Sequence, residues 1–410
     1  MKIAVIGAGA SGLISAGFLG FNGFNVDLFE GNEKVGKKIY ITGKGRCNVT
    51  NYSEPNEVLE NVVNNAKFLY SSLYAFTSYD TVEFFNNLGV PIKIERGNRA
   101  FPESDKSSDI IKALEKFIRQ NRVNLLLNNK VKQISKNNNT FNILTTVNSY
   151  VGYDAVVICT GGKTYSATGS TGDGYAFAKL FGHEITPVVA GLVPILLNDG
   201  FVKQIEGLSL KNVTLIAKNQ NKIIKEFFGE MLFTANGISG PIALSLSSYI
   251  NRQQNVSLFL DFKPALTQEK LLNRIKRDID ELCNSQVSTL ISGLLPKALM
   301  PIFLNKLKLE QTRKNRTLNE QEINKICLLL KEFPLNYKGL DKLDYGIITS
   351  GGVGVANVNP KTLESKIIDS LYFAGEVLDV DALTGGYNLQ IAFSTGVAVA
   401  RAITKKFMGN

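Results

Sequence analysis

Apolar and polar residues alternate in two distinct ways along the chain. Residues 3–6, 25–29, 155–158 and 367–374 form short, almost continuous apolar runs. Runs of this kind are typical of parallel strands buried on both faces. The small and apolar residues that follow the glycines at 7–12 as far as Gly20, and those at 387–402, recur at helical spacing. The ends of the chain therefore predict one α/β domain with a parallel sheet.

The middle of the chain follows different patterns. Residues 193–195, 213–218, 222–228 and 256–262 alternate or run apolar at strand length, with turn residues between them. They predict a small antiparallel or barrel-like unit. From residue 267 to about 333 the apolar positions recur at helical spacing, which predicts a helical insert.

The first predicted strand runs into a glycine-rich turn with the pattern G-x-G-x-x-G. Gly7 permits the tight turn, Gly9 leaves room for a pyrophosphate, and Gly12 lets the helix pack closely on the strand. The free N–H groups of the following helix would face the phosphates. This turn predicts a dinucleotide site.

An acidic residue ends the second predicted strand. Glu30 follows Gly12 by eighteen positions, where a carboxylate binds ribose hydroxyls and disfavours a 2′-phosphate. The site is therefore expected to hold FAD or NAD rather than NADP.

Two later segments favour FAD. The run at 155–158 ends in Thr160-Gly161, similar to the A-T-G motif beneath the cofactor of many FAD enzymes. The last apolar run ends in Gly375-Glu376 and is followed by a helix that opens after two glycines. Such a return segment suits the ribityl and pyrophosphate of an extended FAD and aims a helix N-terminus at the flavin.

Five motifs, in order along the chain, give a wider resemblance. They are GKKIYITGKGRCNVTN (36–51), GNRAFP (97–102), GEMLFTANGISGP (229–241), TSGGV (349–353) and YFAGEVLDVDALTGGYNLQIAFSTG (372–396). Together they resemble the BaiN/HI0933-type flavoproteins, NAD(P)/FAD-dependent oxidoreductases that include members named aminoacetone oxidases. The chain departs from the family pattern at Ala235, where histidine is common, and at Ile391, where tryptophan is common.

The resemblance implies a Rossmann-like FAD-binding domain of the glutathione-reductase-like, two-dinucleotide-binding type. An insertion with a β-rich part and a helical part would split that domain. The implied segments are the FAD domain at 1–190 and 346–410, the β-rich insert at 191–264 with a return at 335–345, and the helical insert at 265–334.

The resemblance also implies a tightly but non-covalently held FAD and a set of residues around it. The adenosine and pyrophosphate would lie against the glycine turn and Glu30, the isoalloxazine and ribityl beside the segment 37–48, and the return segment would close the site. The implied cofactor-binding residues are Gly7, Gly9, Ala10, Ser11, Gly12, Glu30, Lys37, Gly43, Arg46, Cys47, Asn48, Val131, Thr160, Gly161, Gly375, Glu376, Gly386, Tyr387, Asn388 and Leu389.

No side chain stands out as the catalytic acid. His183, the single histidine, follows a predicted helix and is interpreted as a turn residue. Cys47 has no second cysteine for a dithiol relay, so it is either a small packing residue or a thiol activated by Arg46. No second G-x-G-x-x-G follows a strand, so NADH or NADPH would bind only transiently as electron donor.

The composition of the chain limits its possible setting and partners. The four cysteines are dispersed, which favours a reducing, cytoplasmic setting without disulfides or a metal. No apolar run is long enough to predict a membrane span. The net charge is +10, and the basic stretch 306–316 is the best nucleic-acid candidate. That stretch lacks interleaved aromatics, so it is interpreted as a solvated helix face.

Three functions are consistent with these residues. The first is an NAD(P)H-dependent reductase of a small unsaturated or carbonyl-conjugated substrate. The second is an oxidase of a small amine such as aminoacetone, with dioxygen as acceptor. The third, which the charge suggests more weakly, is a flavoprotein that associates with nucleic acid.

Overall fold

The structure is a computed structural model that describes residues 1–409. The chain divides into two compact units, one formed by Met1–Gly191 with residues 343–409, and the other by Leu192–Lys342. Each unit has its own hydrophobic core. The second unit falls within the predicted insertion.

The strands carry the numbering used below. They are β1 Lys2–Ile6, β2 Asn25–Phe29, β3 Thr50–Asn51, β4 Val62–Asn64, β5 Ile92–Glu95, β6 Arg99–Pro102, β7 Asn124–Leu126, β8 Val131–Asn137, β9 Thr140–Thr145, β10 Ser149–Tyr153, β11 Ala155–Ile158, β12 Ile185–Gly191, β13 Ile195–Leu197, β14 Ser209–Asn219, β15 Lys222–Thr234, β16 Gly237–Ser239, β17 Val256–Asp261, β18 Phe333–Leu335, β19 Tyr337–Leu340, β20 Ile348–Val353, β21 Leu371–Phe373 and β22 Asp381–Ala382.

The α-helices are numbered in the same way. They are α1 Ala10–Phe21, α2 Lys37–Ile41, α3 Pro55–Glu60, α4 Tyr70–Ala75, α5 Ser78–Asn87, α6 Ser107–Gln120, α7 Asp173–Leu180, α8 Pro241–Ile250, α9 Gln268–Glu281, α10 Val287–Leu294, α11 Met300–Leu307, α12 Glu320–Lys331 and α13 Tyr387–Met408.

A five-stranded parallel sheet organises the first unit. Its order is β21-β11-β1-β2-β7, and each neighbouring pair runs parallel. The four apolar runs predicted from the sequence supply its four buried strands. Helices α1 and α13 pack against each other, so the glycine turn after β1 and the return segment after β21 meet at one edge of the sheet.

Smaller antiparallel sheets complete this unit. They have the orders β10-β9-β8, β3-β6-β5, β12-β20 and β22-β4. Three of these four sheets include strands from residues 50–153, a region in which the sequence analysis assigned no strand or helix.

The second unit combines one antiparallel sheet with helices. The sheet has seven strands in the order β18-β17-β14-β15-β16-β13-β19. Helices α8 to α12 bury their apolar faces in the core of this unit, as residues 271–279 of α9 illustrate. The predicted β-rich and helical parts are therefore both confirmed, as is the α/β class of the first unit.

One local prediction is wrong. The basic stretch 306–316 was interpreted as a helix face, but α11 ends at Leu307 and Lys308 adopts a left-handed conformation with φ 56°. The rest of the stretch forms turns and a short 3₁₀ segment that begins at Asn315. Arg313 pairs with Glu322, with Nη1 and Oε1 2.5 Å apart. The cause is local, since the left-handed residue satisfies the last carbonyl groups of α11 and ends the helix.

Candidate functional site

The glycine turn has the geometry that a dinucleotide requires. A Cβ on Gly7 would lie 2.6 Å from the carbonyl oxygen of Cys159, and one on Gly12 would lie 1.8 Å from that of Gly7. Both positions therefore exclude any side chain. Gly9 differs, because a Cβ there would meet nothing within 4 Å. Gly9 also precedes α1 without a side-chain cap, so the first N–H groups of the helix border open space.

Glu30 lies directly beside this turn. One carboxylate oxygen accepts a hydrogen bond from the backbone N–H of Ala8 at 2.9 Å. The other accepts from the backbone N–H of Asn32 at 2.9 Å and from its Nδ2 at 2.7 Å. The carboxylate is thus held at the end of β2, at the place where the sequence predicts a ribose.

The return segment meets the glycine turn from the other side. Ser11 Oγ donates to the carbonyl oxygen of Ala374 at 3.2 Å, and a Cβ on Gly375 would lie 2.5 Å from that hydroxyl. The next residue, Glu376, accepts from Lys38 Nζ at 2.8 and 2.9 Å and from the backbone N–H of Thr349 at 2.8 Å. The structure therefore brings together the two ends of the chain around α1.

The N-terminus of α13 is packed against β3. Gly386 has φ 99°, and a Cβ there would lie 2.3 Å from the backbone carbon of Thr50. The side-chain amide of Asn388 accepts a hydrogen bond from the backbone N–H of Ala382 at 3.0 Å and donates one to its carbonyl oxygen at 2.8 Å. Thus Asn388 fixes the loop before α13, while Tyr387 is half-buried as the first residue of the helix.

The loop 42–48 has an unusual backbone. Gly43, Lys44, Gly45 and Cys47 all have positive φ, at 56°, 58°, 85° and 59°. Cys47 is fully buried, and burial raises the pKa of its thiol to about 12. That pKa argues against an activated thiolate and favours the interpretation of Cys47 as a packing residue.

Arg46 does not face the Cys47 thiol. Its guanidinium hydrogen-bonds to Glu95 and Asp105 and stacks over Phe101, with its carbon 4.2 Å from the ring centre. Arg46 therefore ties the loop 42–48 to the β5–β6 hairpin, and its side chain is committed to that contact.

These features fit a bound FAD. Open space borders the N-terminus of α1, carboxylates stand on both sides of it, and Asn48 Oδ1 is buried without a hydrogen-bond partner in residues 1–409. The resemblance implies that this loop lies beside the isoalloxazine, and a buried, unpaired acceptor there would suit a flavin donor.

The remaining residues of the implied set are placed as follows. Ala10 begins α1, and Val131 begins β8 with its side chain buried. Gly161 has φ 69°, and a Cβ there would lie 3.9 Å from Glu376 Oε2. Thr160 Oγ1 is buried, and Leu389 packs on the core as a partly buried residue. Lys37 Nζ lies 3.3 Å from Asn32 Oδ1, on the side of Glu30.

Sequence reasoning missed three residues of this region. They are Asn32, which contacts Glu30, and Lys38 and Thr349, which contact Glu376. Lys38 and Thr349 do lie inside quoted motifs, so the signal was present. The adjacent Lys37 and Lys38 could not be told apart without the direction of α2.

His183 packs beside the core of the first unit. Its side chain is 3% exposed, Nε2 is 2.8 Å from Ser365 Oγ, and the ring packs on Phe373 with centres 4.8 Å apart. Burial lowers its pKa. These contacts favour a structural role.

Residues 1–409 offer neither a metal-binding cluster nor a membrane-spanning helix. No group of three or more histidine, cysteine, aspartate or glutamate side chains in that range could hold a metal ion. No helix in the same range has the length and apolarity needed to cross a membrane.

Comparison with known proteins places the chain in a family. Residues 1–402 match the model of the HI0933-like protein Rossmann domain. A 3-dehydro-bile acid delta(4,6)-reductase from Clostridium scindens is 29% identical over 99% of both chains. A ribosomal RNA dihydrouridine synthase from Escherichia coli is 30% identical over 97% of this chain and 96% of its own.

Solved structures share the fold. The 3-ketosteroid delta1-dehydrogenase of Sterolibacterium denitrificans matches with a TM-score of 0.52 and 12% identity over 98% of this chain and 99% of its own. The 3-ketosteroid-delta4-(5alpha)-dehydrogenase of Rhodococcus jostii RHA1 matches with a TM-score of 0.51 and 13% identity, over 98% and 95%. The family model matches residues 1–402, and the glycine turn has the geometry of a dinucleotide site. The chain therefore belongs to the HI0933-like Rossmann-domain family of FAD-dependent oxidoreductases.

Proposed function

We propose that the protein is an NAD(P)H-dependent reductase with FAD as its bound cofactor, and that it saturates a carbon–carbon double bond conjugated to a carbonyl group. The observation that carries this proposal is what two full-length relatives share. One is named for reducing the 4,6-double bonds of a 3-oxo bile acid, and the other for making dihydrouridine. Their substrates differ greatly, but both reactions saturate a double bond conjugated to a carbonyl.

The residues around the glycine turn would hold the cofactor. The N-terminus of α1 would bind the pyrophosphate, and Glu30 and Glu376 would accept hydrogen bonds from hydroxyls on its two sides. The loop 42–48 and the N-terminus of α13 would line the flavin, and the positive end of the α13 dipole would favour negative charge there. When bound, FAD supplies the two-electron hydride chemistry.

The electron donor would bind transiently. The chain has no second G-x-G-x-x-G after a strand, and the GGVGVA segment at 351–356 continues from β20 into a short 3₁₀ turn. We therefore expect NADH or NADPH to reach the flavin without a dedicated Rossmann domain, and to leave once it is oxidised.

An anaerobic visible spectrum tests the proposal. We expect NADH or NADPH to bleach the flavin band of the purified protein, and a 3-oxo-4,6-diene steroid or a uridine-containing RNA to restore it. A flavin that neither nicotinamide reduces would contradict the proposal. Reduction by aminoacetone, with hydrogen peroxide formed in air, would instead support the amine oxidase.

A second candidate, uridine in RNA as the substrate, is favoured by the distribution of charge. Residues 192–342 contain 21 lysine and arginine residues against 14 aspartate and glutamate residues, and so hold +7 of the net +10. A basic surface binds nucleic acid through phosphate contacts, and the binding weakens steeply with salt. Salt-sensitive binding of ribosomal RNA, and turnover of RNA but not of the steroid, would support this candidate.

A further inference from the structure

The segment between β11 and α7 spans the predicted cofactor site. This segment, residues 163–172 or KTYSATGSTG, is called the strap below. Three of its residues have positive φ, namely Tyr165 at 53°, Gly169 at 100° and Gly172 at 82°. A tyrosine with this backbone conformation persists only where surrounding contacts hold it.

One part of the strap contacts the Glu30 side of the site. Asn32 Nδ2 donates to Glu30 Oε1 at 2.7 Å and to the carbonyl oxygen of Thr168 at 3.2 Å. The approach is close, because a Cβ on Gly169 would lie 2.4 Å from the same nitrogen. Asn32 therefore connects the strap to the carboxylate that would bind the adenosine ribose.

The beginning of the strap contacts the Glu376 side. Lys38 Nζ donates to Thr164 Oγ1 at 2.9 Å while it pairs with Glu376. The backbone N–H groups of Lys163 and Thr164 donate to Thr349 Oγ1 at 2.8 and 3.2 Å. Lys38 therefore makes the same kind of connection as Asn32, from the strap to the second carboxylate.

The end of the strap is also anchored. Lys130 Nζ lies 2.8 Å from Asp173 Oδ2 and 3.4 Å from Thr171 Oγ1. Ser170 is buried, and its hydroxyl would lie 3.4 Å from a Cβ on Gly161. The strap thus runs from the Glu376 side to the Glu30 side, with Ser170 near its end close to Gly161 after β11.

We propose that the strap retains the dinucleotide by coupling the two carboxylates. Through Asn32 and Lys38 it holds Glu30 and Glu376 in place together, so release of the cofactor requires both connections to loosen. The coupling concerns retention of the cofactor, so it rests on the FAD assignment and is independent of which substrate is reduced.

The first test uses a glycine substitution with a matched control. Gly169→Ala places a methyl group against Asn32 and strains a positive-φ position, whereas Gly89→Ala strains a similar backbone, φ 85°, with nothing within 4 Å. The readout is the release of FAD from the holoprotein, followed by the fluorescence of the free cofactor. We expect FAD to be released roughly tenfold faster from Gly169→Ala than from Gly89→Ala. A change of that size corresponds to the loss of one charge-assisted hydrogen bond, here the one from Asn32 to Glu30. Equal rates for both variants would overturn the proposal.

Thr164→Val tests the other connection with little change of shape. It removes the hydroxyl that accepts from Lys38 and leaves the Lys38–Glu376 pair in place, so it keeps the proposal testable even if Gly169→Ala does not fold. We expect faster release here too, with an unchanged melting temperature, and an unchanged rate would count against the strap. Altered release in a protein that reduces no conjugated substrate would contradict only the proposed reaction.

Discussion

Lys38 Nζ lies 2.8 Å from Glu376 Oε2, which joins two positions 338 residues apart in the sequence. The adjacent Lys37 turns the other way, with Nζ 3.3 Å from Asn32 Oδ1 and 3.4 Å from Glu33 Oε2. Neighbouring lysines on α2 therefore serve the two sides of the glycine turn. Only Lys38 neutralises a carboxylate of the implied cofactor set.

Replacement of Lys38 is expected to weaken the binding of FAD. Lys38→Met leaves Glu376 without its cation, so the carboxylate loses its fixed position, and we expect FAD to bind about tenfold more weakly. Lys34→Met is the control and should change binding less than about twofold, because Lys34 is exposed and lies outside the implied cofactor set. Both side chains of the Lys38–Glu376 pair are 23% exposed, so we expect the free energy of unfolding to fall by less than about 1 kcal/mol.

Fluorescence titration of the apoprotein with FAD gives the two dissociation constants, and urea unfolding gives the stabilities. If Lys34→Met weakened FAD binding as much as Lys38→Met, the pairing with Glu376 would not explain the effect.

Gly386 should tolerate no side chain. An alanine there would place Cβ 2.3 Å from the backbone carbon of Thr50 and would adopt φ 99°, so both β3 and the start of α13 would have to move. We expect Gly386→Ala to lower the free energy of unfolding by at least about 3 kcal/mol. Gly97→Ala, with φ 76° and open space, should cost about 1 kcal/mol. Similar unfolding midpoints in urea for the two variants would contradict the close packing of β3 on α13.

The features that local sequence determines could be predicted, whereas those that depend on contacts between distant residues could not. The parallel strands and the glycine turn were predictable because their signals are local, in apolar runs and in glycines at fixed spacing. Lys38, Asn32 and the strap were not, because their importance arises from contacts with residues distant in sequence. The end of α11 at Leu307 was missed because nothing in the composition marks Lys308 as left-handed.

Cys47 should be unreactive in the native protein. Its thiol is buried and its pKa is raised to about 12, so thiolate is scarce at pH 8. Cys159 and Cys327 are buried too, whereas Cys283 is partly exposed. We expect a thiol reagent to label Cys283 first and the other three only after unfolding. Peptide mapping after a short exposure identifies the labelled residue, and rapid labelling of Cys47 in the native state would revive the interpretation of it as a reactive thiol.

His183 gives the stability of the protein a predictable dependence on pH. Burial lowers the pKa of the folded imidazole below its ordinary value of 6.5, so between the two values the unfolded chain binds a proton that the folded chain does not. Stability is therefore full above about pH 6.5 and decreases as the pH falls towards the lowered value. We therefore expect the free energy of unfolding to fall between pH 7 and pH 5.5.

The chain has one histidine, so a single variant isolates this contribution. His183→Asn cannot be protonated in this range. It should be less stable than the natural protein at pH 8, because it loses the packing on Phe373, but its free energy of unfolding should change less between pH 7 and pH 5.5. Urea unfolding at several pH values measures both slopes. Parallel slopes would mean that the imidazole is protonated equally in the folded and unfolded chains, contrary to its burial against Ser365 and Phe373.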